Sequence, residues 1–149
     1  MTGLQIYTGT YQRFEPDMGV PVRSTVGLPR FSLSYQLAGH WVSVTPQRAW
    51  LSDKVGEADF RRMYRHKLHK IGVDRVMQEA EDIATFAGDP RIVALCFDDL
   101  RKPGMWCHRQ MLGEWLEEEG VPVIELFPGS KPYSPPGPEK PVAVQEELF

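Results

Sequence analysis

The sequence predicts a small three-layer α/β domain with a mostly parallel sheet, and three observations carry that expectation. Residues 91–97, RIVALCF, form a continuous apolar run of the kind that a strand buried on both faces needs. Met111, Leu112, Trp115 and Leu116 then recur at helical spacing, and Gly120 is placed to end that helix. A second apolar run, VPVIELF at 121–127, follows. Strand, helix and strand over 91–127 make a βαβ unit, whose strands run parallel with a right-handed crossover. The architecture expected is Rossmann-like over residues 1–127, followed by a tail over 128–149.

The elements before that unit follow from the same patterns. Leu4 to Tyr7 reads as a short strand, with Thr8-Gly9-Thr10 turning the chain. Val20, Val22 and Val26 predict a second strand, ended by Gly27 and Pro29. Trp41 to Val44 reads as a short strand, and Thr45-Pro46 as a helix opening. Phe60, Met63, Tyr64, Leu68 and Ile71 predict a helix that Gly72 terminates. Asp74 is a candidate cap for the next helix, with an apolar stripe of Val73, Val76, Met77, Ala80, Ile83, Ala84 and Ala87, stopped by Gly88-Asp89-Pro90. From Pro128 the composition turns to PGSKPYSPPGPEKP, which has no hydrophobic face to bury and reads as an extended, flexible tail.

Composition bounds the function. With 149 residues, 42% of them hydrophobic, the chain can bury one full core. A net charge of −3 argues against a generally sticky polyanion or membrane binder, although local patches escape that rule. No apolar run approaches the ~20 residues that span a bilayer, so no membrane partner is expected. The N-terminus, MTGLQIYTGT, lacks the layout of a signal peptide, and the expected compartment is the cytoplasm. In that reducing setting Cys96 and Cys107 are expected as thiols rather than as a structural disulfide.

Chemistry-bearing residues gather where α/β folds bind ligands, beyond the carboxyl ends of the strands. Cys96, Asp98 and Asp99 fall at the end of one strand, Tyr7, Thr8, Gly9 and Thr10 at the end of another, and Cys107, His108 and Arg109 at a helix start. A helix N-terminus favours an anion, and Arg101, Lys102 and Arg109 add positive charge. Cys107 is therefore a candidate nucleophile, His108 or Asp98 a candidate proton carrier, and Arg109 an anion clamp. The plainer alternative is a structural thiol under Trp106. Asp98 and Asp99 suit a ribose hydroxyl or a general base, or else form a solvated turn. The Cys-x5-Arg loop of the tyrosine phosphatases is excluded, because Cys96 to Arg101 is one residue short and the two aspartates would repel phosphate. Cys96, Cys107 and His108, with Asp98 or Asp99, supply enough ligands for a metal. Adjacent Cys107 and His108 should diverge on one helical turn, so neither a metal nor another cofactor is expected.

The segments LQIYTGTY, VPVRSTVGLPR and ALCFDDLRKPGMWCHRQMLGEWLEEEGVPVIEL resemble the bacterial and phage family called domain of unknown function 488. Leu-Cys followed by Cys-His-Arg carries most of the likeness, which covers residues 4–127. The resemblance implies a compact α/β domain whose site gathers Arg23, Cys96, Asp98, Cys107, His108 and Arg109. It implies no reaction. This chain departs from the commoner pattern by an expanded loop from Leu100 to Trp106, which leaves open whether Asp98 or Asp99 occupies the acidic position.

Two features point toward nucleic acid. Residues 61–70, RRMYRHKLHK, hold five Lys/Arg, two His and no acid. Arg61, Arg62, Arg65, His66 and His69 share a helix face, which suits either solvent or a phosphate backbone. The final QEELF resembles the pentapeptide that binds the bacterial sliding clamp, with Gln145, Leu148 and Phe149 at its anchor positions; the alternative is an apolar end that folds back on the domain. The favoured reading is a protein acting on a nucleotide or nucleic-acid substrate and brought to DNA by its tail. Its rivals are a binding protein that sequesters a nucleotide-like ligand and a clamp adaptor. The tail motif predicts that a peptide of residues 140–149 binds the clamp with roughly micromolar affinity. Calorimetry should record that binding, and should lose it when Leu148 and Phe149 are both changed to Ala.

Overall fold

The computed structural model describes residues 3–51, 54–97 and 107–127. Asp98, Asp99, the rest of the expanded loop to Trp106, and the tail anchors Gln145, Leu148 and Phe149 lie outside the described residues. Strands β1 (Gln5–Thr10), β2 (Val20–Arg23), β3 (Gly39–His40), β4 (Arg91–Cys96) and β5 (Val123–Glu125) form one sheet in the order β3-β2-β4-β1-β5. Every neighbouring pair is parallel. Helices α1 (Glu57–Ile71), α2 (Val73–Ala87) and α3 (His108–Glu118) complete the α/β domain. The unit β4–α3–β5 is the one expected from the apolar runs, and β1 pairs between its two strands.

Strand alternation divides the core. Ile92 and Ala94 of β4 pack with Ile6, Val22 and Val123 beneath the helices, against Phe60, Tyr64 and Leu68 of α1, Val76, Ala80 and Ala84 of α2, and Leu112, Trp115 and Leu116 of α3. Val93 and Leu95 face the other way and pack with Tyr11, Phe14, Leu33, Tyr35 and Leu37. The layers are therefore helices, sheet and loops, since segments 11–18 and 33–37 cover the second face where a larger α/β protein uses helices. Buried polar groups tie this arrangement together. The Trp41 indole donates to the Val76 carbonyl at 2.9 Å, and the Tyr64 hydroxyl donates to the Val44 carbonyl at 2.5 Å.

Both long helices end as the glycines predict. Gly72 donates to the Leu68 carbonyl and closes α1, while its own carbonyl accepts from Val76 and opens α2. Gly72 thus takes the capping position expected of Asp74, which lies within the first turn of α2. Gly88 adopts a left-handed conformation, φ 74° and ψ 25°, at the end of α2.

Three local expectations are corrected. Thr8 to Thr10 continue β1 rather than turning, because their backbones pair with Ala94, Leu95 and Cys96 of β4. Gly9 fits there for packing: a Cβ would stand 3.0 Å from the Phe127 ring. Trp41 to Val44 is not a strand. The Trp41 amide donates one further ladder bond to the Arg23 carbonyl, and Val42–Val44 then tighten into a 3₁₀ turn because the indole is anchored to α2. No helix opens at Thr45-Pro46; a second 3₁₀ turn spans Arg48–Leu51.

Gly19 sets the entry to β2. Its φ of 138° belongs to glycine, and a Cβ would lie 2.7 Å from the Arg91 carbonyl oxygen of the neighbouring strand. Gly19→Ala should destabilise the chain by at least about 2 kcal/mol, combining backbone strain with the clash. Gly27→Ala, where a Cβ meets nothing within 4 Å, should stay within about 0.5 kcal/mol. Urea denaturation of both variants checks the contrast through the midpoints at unchanged slope.

Candidate functional site

The parallel sheet brings the ends of β1, β2 and β4 to one edge, and α3 begins over that edge. Cys107 is the N-cap of α3, extended at φ −146° and ψ 147°, and His108 and Arg109 form the first helical turn. Cys96, Cys107 and Arg109 are essentially inaccessible, and His108 is only 8% exposed.

Arg109 organises the cluster. Its Nε donates to Glu125 Oε1 at 2.6 Å, and its Nη1 points at Cys96 Sγ at 2.8 Å. Glu125 also accepts from the Thr8 hydroxyl at 2.9 Å and the Phe127 amide at 2.8 Å. Burial pushes the Glu125 carboxyl up, and Arg109, Phe127 and Thr8 pull it back. A guanidinium with no solvent contact needs such a partner, because an isolated buried charge is prohibitive.

The sulfur atoms of Cys96 and Cys107 are in contact, while their Cα atoms stand 7.7 Å apart. The structure joins the two sulfurs, but relaxed disulfides hold Cα atoms about 4.4–6.8 Å apart, so the pair is juxtaposed without the geometry of a structural disulfide. His108 completes the group. Its Nε2 lies 2.9 Å from the Ser24 carbonyl and 3.2 Å from the Ser24 hydroxyl, whose own proton goes to the Leu95 carbonyl at 2.7 Å. That network assigns the proton to Nε2 and leaves Nδ1 as a bare acceptor, 3.8 Å from Cys107 Sγ. Burial, aided by Arg109, drives the imidazole down to about 4, against the Ser24 carbonyl, so it is neutral near pH 7. The Tyr64 ring meets it edge-on at 5.8 Å.

One ligand atom each from Cys96, Cys107 and His108 lies within 4.8 Å of the others. The expected divergence of Cys107 and His108 is therefore corrected. An N-cap residue has extended backbone, so its side chain leaves the helical path and turns back onto its neighbour.

Other candidate residues are placed differently. Thr8 belongs to the Arg109–Glu125 network, but Tyr7 and Gly9 lie on the opposite sheet face, where the Tyr7 hydroxyl donates to Gln5. Arg23 pairs in register with Leu95 on that same loop-covered face, because Val20 and Val22 take the helix side. Its guanidinium bonds the carbonyls of Thr25, at 2.8 Å, and Val26. Arg23 thus braces the turn that carries Ser24, and the two arginines do not converge on one anion. Sequence patterning does not point to Ser24 or Glu125 as members of the site. Glu125 leaves a signal nonetheless, as the one acid in the apolar run VPVIELF; Ser24 leaves none.

The basic stripe of α1 is largely an interface. Arg61 meets Glu114 of α3 at 2.5 Å and Glu57 at 3.4 Å; Arg65 pairs with Glu118, one contact being 2.7 Å. Arg62 remains exposed and pairs with Asp59 at 2.9 Å. Two (i, i+4) arginines thus meet two (i, i+4) glutamates across the α1–α3 contact. A separate groove of about 530 Å³ is lined by Trp50, Arg62, His66, Lys67 and Lys70.

Burial lifts the Glu114 carboxyl to about 7, against the opposing pull of Arg61. The folded chain therefore retains a proton that an unfolded chain releases near the ordinary carboxylate value. Its stability contribution is complete below that ordinary value and declines as pH rises toward 7. Between about pH 5 and about pH 7, the wild type should lose about 2 kcal/mol relative to Glu114→Gln. Urea titrations of both proteins across that window check the sign, the missing Arg61 pair entering only as a constant offset.

No family model, curated protein or solved structure matches the chain.

Proposed function

We propose that the chain acts on a nucleotide or nucleic-acid substrate, with the cluster of Cys96, Cys107, His108 and Arg109 as its reactive centre. The observation that carries this reading is convergence. Two sulfurs, a neutral imidazole with a bare nitrogen and a guanidinium meet beyond the carboxyl ends of parallel strands, the usual ligand site of α/β sheets. Structural thiols do not need a buried arginine at 2.8 Å or a neighbouring imidazole. Within the cluster, Arg109 positions Cys96, Ser24 positions His108, and His108 Nδ1 faces Cys107 Sγ at 3.8 Å. Arg109 is a positioning residue rather than an anion clamp, because Glu125 and Cys96 already engage it.

The polyanion part of the reading rests on the groove beside α1. Lys67 and Lys70 join Arg62 and His66 there, and Trp50 offers a stacking surface of the kind that single-stranded nucleic acids use. Recruitment to the sliding clamp through Gln145, Leu148 and Phe149 belongs to the same proposal. Sequestration of a nucleotide-like ligand without turnover is the binding alternative.

The full chain should bind single-stranded oligonucleotides in a salt-dependent manner. Arg62→Glu with Lys70→Glu should weaken that binding and lower the salt slope by about 0.7 for each single-strand phosphate that is no longer neutralised. Mass spectrometry of a nucleotide and oligonucleotide panel should reveal product with the native chain and none with Cys107→Ser. No salt-dependent binding would remove the nucleic-acid substrate. Turnover that survives Cys107→Ser would remove the reactive centre.

A further inference from the structure

We propose that Cys96 Sγ, Cys107 Sγ and His108 Nδ1 together bind one soft divalent cation, zinc being the best match, with a fourth position left for a water or substrate atom. The inference rests on the proposed function for its location and deepens it by naming what occupies that centre.

Ligand type is the first argument. Two thiolates and an imidazole suit zinc and exclude the hard cations, which take oxygen ligands. A Cys₂His set is one of the three-ligand sets found where zinc keeps an open position for chemistry.

Geometry is the second. Zinc bonds sulfur at about 2.3 Å and imidazole nitrogen at about 2.0–2.1 Å, so tetrahedral ligands lie roughly 3.5–3.8 Å apart. Cys107 Sγ and His108 Nδ1 already stand 3.8 Å apart. The 7.7 Å between the Cα atoms of Cys96 and Cys107 is too wide for a relaxed disulfide, and a rotation of either side chain that parts the two sulfurs admits an ion between them.

The supporting groups are the third. A metal-bound histidine characteristically donates its other N–H to a carbonyl, and His108 Nε2 does so to Ser24 at 2.9 Å. Arg109 Nη1 supplies an N–H to the Cys96 sulfur, as outer-shell donors do for thiolate ligands. Charge then closes. Arg109 and Glu125 cancel each other, and two buried thiolates cancel a divalent ion, whereas without the ion either thiolate would be an uncompensated buried charge.

An independent observation marks the fourth position. The Thr10 hydroxyl is buried and has no hydrogen-bond partner among the described residues. Thr10 pairs with Cys96 across β1 and β4, and alternation from Thr8 sets it on the same sheet face as the Arg109 network. A water or substrate atom on the ion would satisfy that hydroxyl.

The test uses the full chain, purified without chelator and reduced. Elemental analysis should find one zinc per chain. Cobalt(II) in its place should produce sulfur-to-metal charge-transfer absorption and the intense visible bands of tetrahedral coordination. Cys107→Ser and His108→Gln should each weaken zinc binding by more than tenfold with an unchanged circular dichroism spectrum. Should either variant unfold, the cobalt spectrum of the wild type decides, since its charge-transfer intensity counts the thiolate ligands. A reduced, folded chain that retains no zinc and gives only the pale spectrum of hydrated cobalt overturns the proposal. That result would leave oligonucleotide binding and loss of turnover in Cys107→Ser untouched; stoichiometric zinc without nucleotide turnover would instead overturn the functional reading alone.

Discussion

The buried contact between Arg109 and Glu125 joins the start of α3 to β5, and through Nη1 reaches the end of β4. A charged pair without solvent contact stabilises a fold only when its remaining polar atoms are satisfied, and Thr8 and Phe127 supply that for the carboxylate. Removing one partner strands the other, which costs about 3–5 kcal/mol in comparable cases. The pair therefore holds α3 at one angular position over the sheet. Once Arg109 is held there, Cys107 and His108 have no freedom to choose another neighbourhood. The same contact that secures the helix also aims the sulfur and the imidazole.

The other end of α3 is held by a different device. Glu114 and Glu118 receive Arg61 and Arg65 from α1, so charges spaced for one helix face are used between two helices. This leaves α1 with two cationic surfaces of unlike purpose. One neutralises α3. The other, formed by Arg62, His66, Lys67 and Lys70 beside Trp50, lines the groove next to the second 3₁₀ turn. An acidic chain can thus hold a basic surface without contradiction, because its acids are used locally rather than spread evenly.

The sheet explains why residues adjacent in sequence serve different faces. Thr8 joins the buried network, whereas Tyr7 and Gly9, one step away, face the loop layer. Val22 supports the helices, and Arg23 beside it braces the Ser24 turn from the opposite side. Proximity to a strand end was readable from the apolar runs, but the face was not, since a one-residue shift of register reverses it. Glu125 is the instructive case. An acid inside an apolar strand signals a buried partner, yet nothing in the chain order says that the partner is Arg109 rather than any other cation.

Alone, the sequence determined what depends on local periodicity and on backbone chemistry. The buried strand within 91–97, the three helices, the glycine stops at Gly72 and Gly88, and the gathering of Cys96, Cys107, His108 and Arg109 at one edge all follow from spacing and turn residues. Tertiary structure decided what depends on register and on long-range pairing. It placed β1 between β4 and β5, extended β1 through Thr10, turned Arg61 and Arg65 toward α3, and separated Arg23 from Arg109. It also brought Cys107 and His108 onto the same point as Cys96. Helical periodicity describes residues inside a helix, whereas Cys107 sits at its cap with extended backbone, and only the packing of α3 over the sheet sets where a cap residue points.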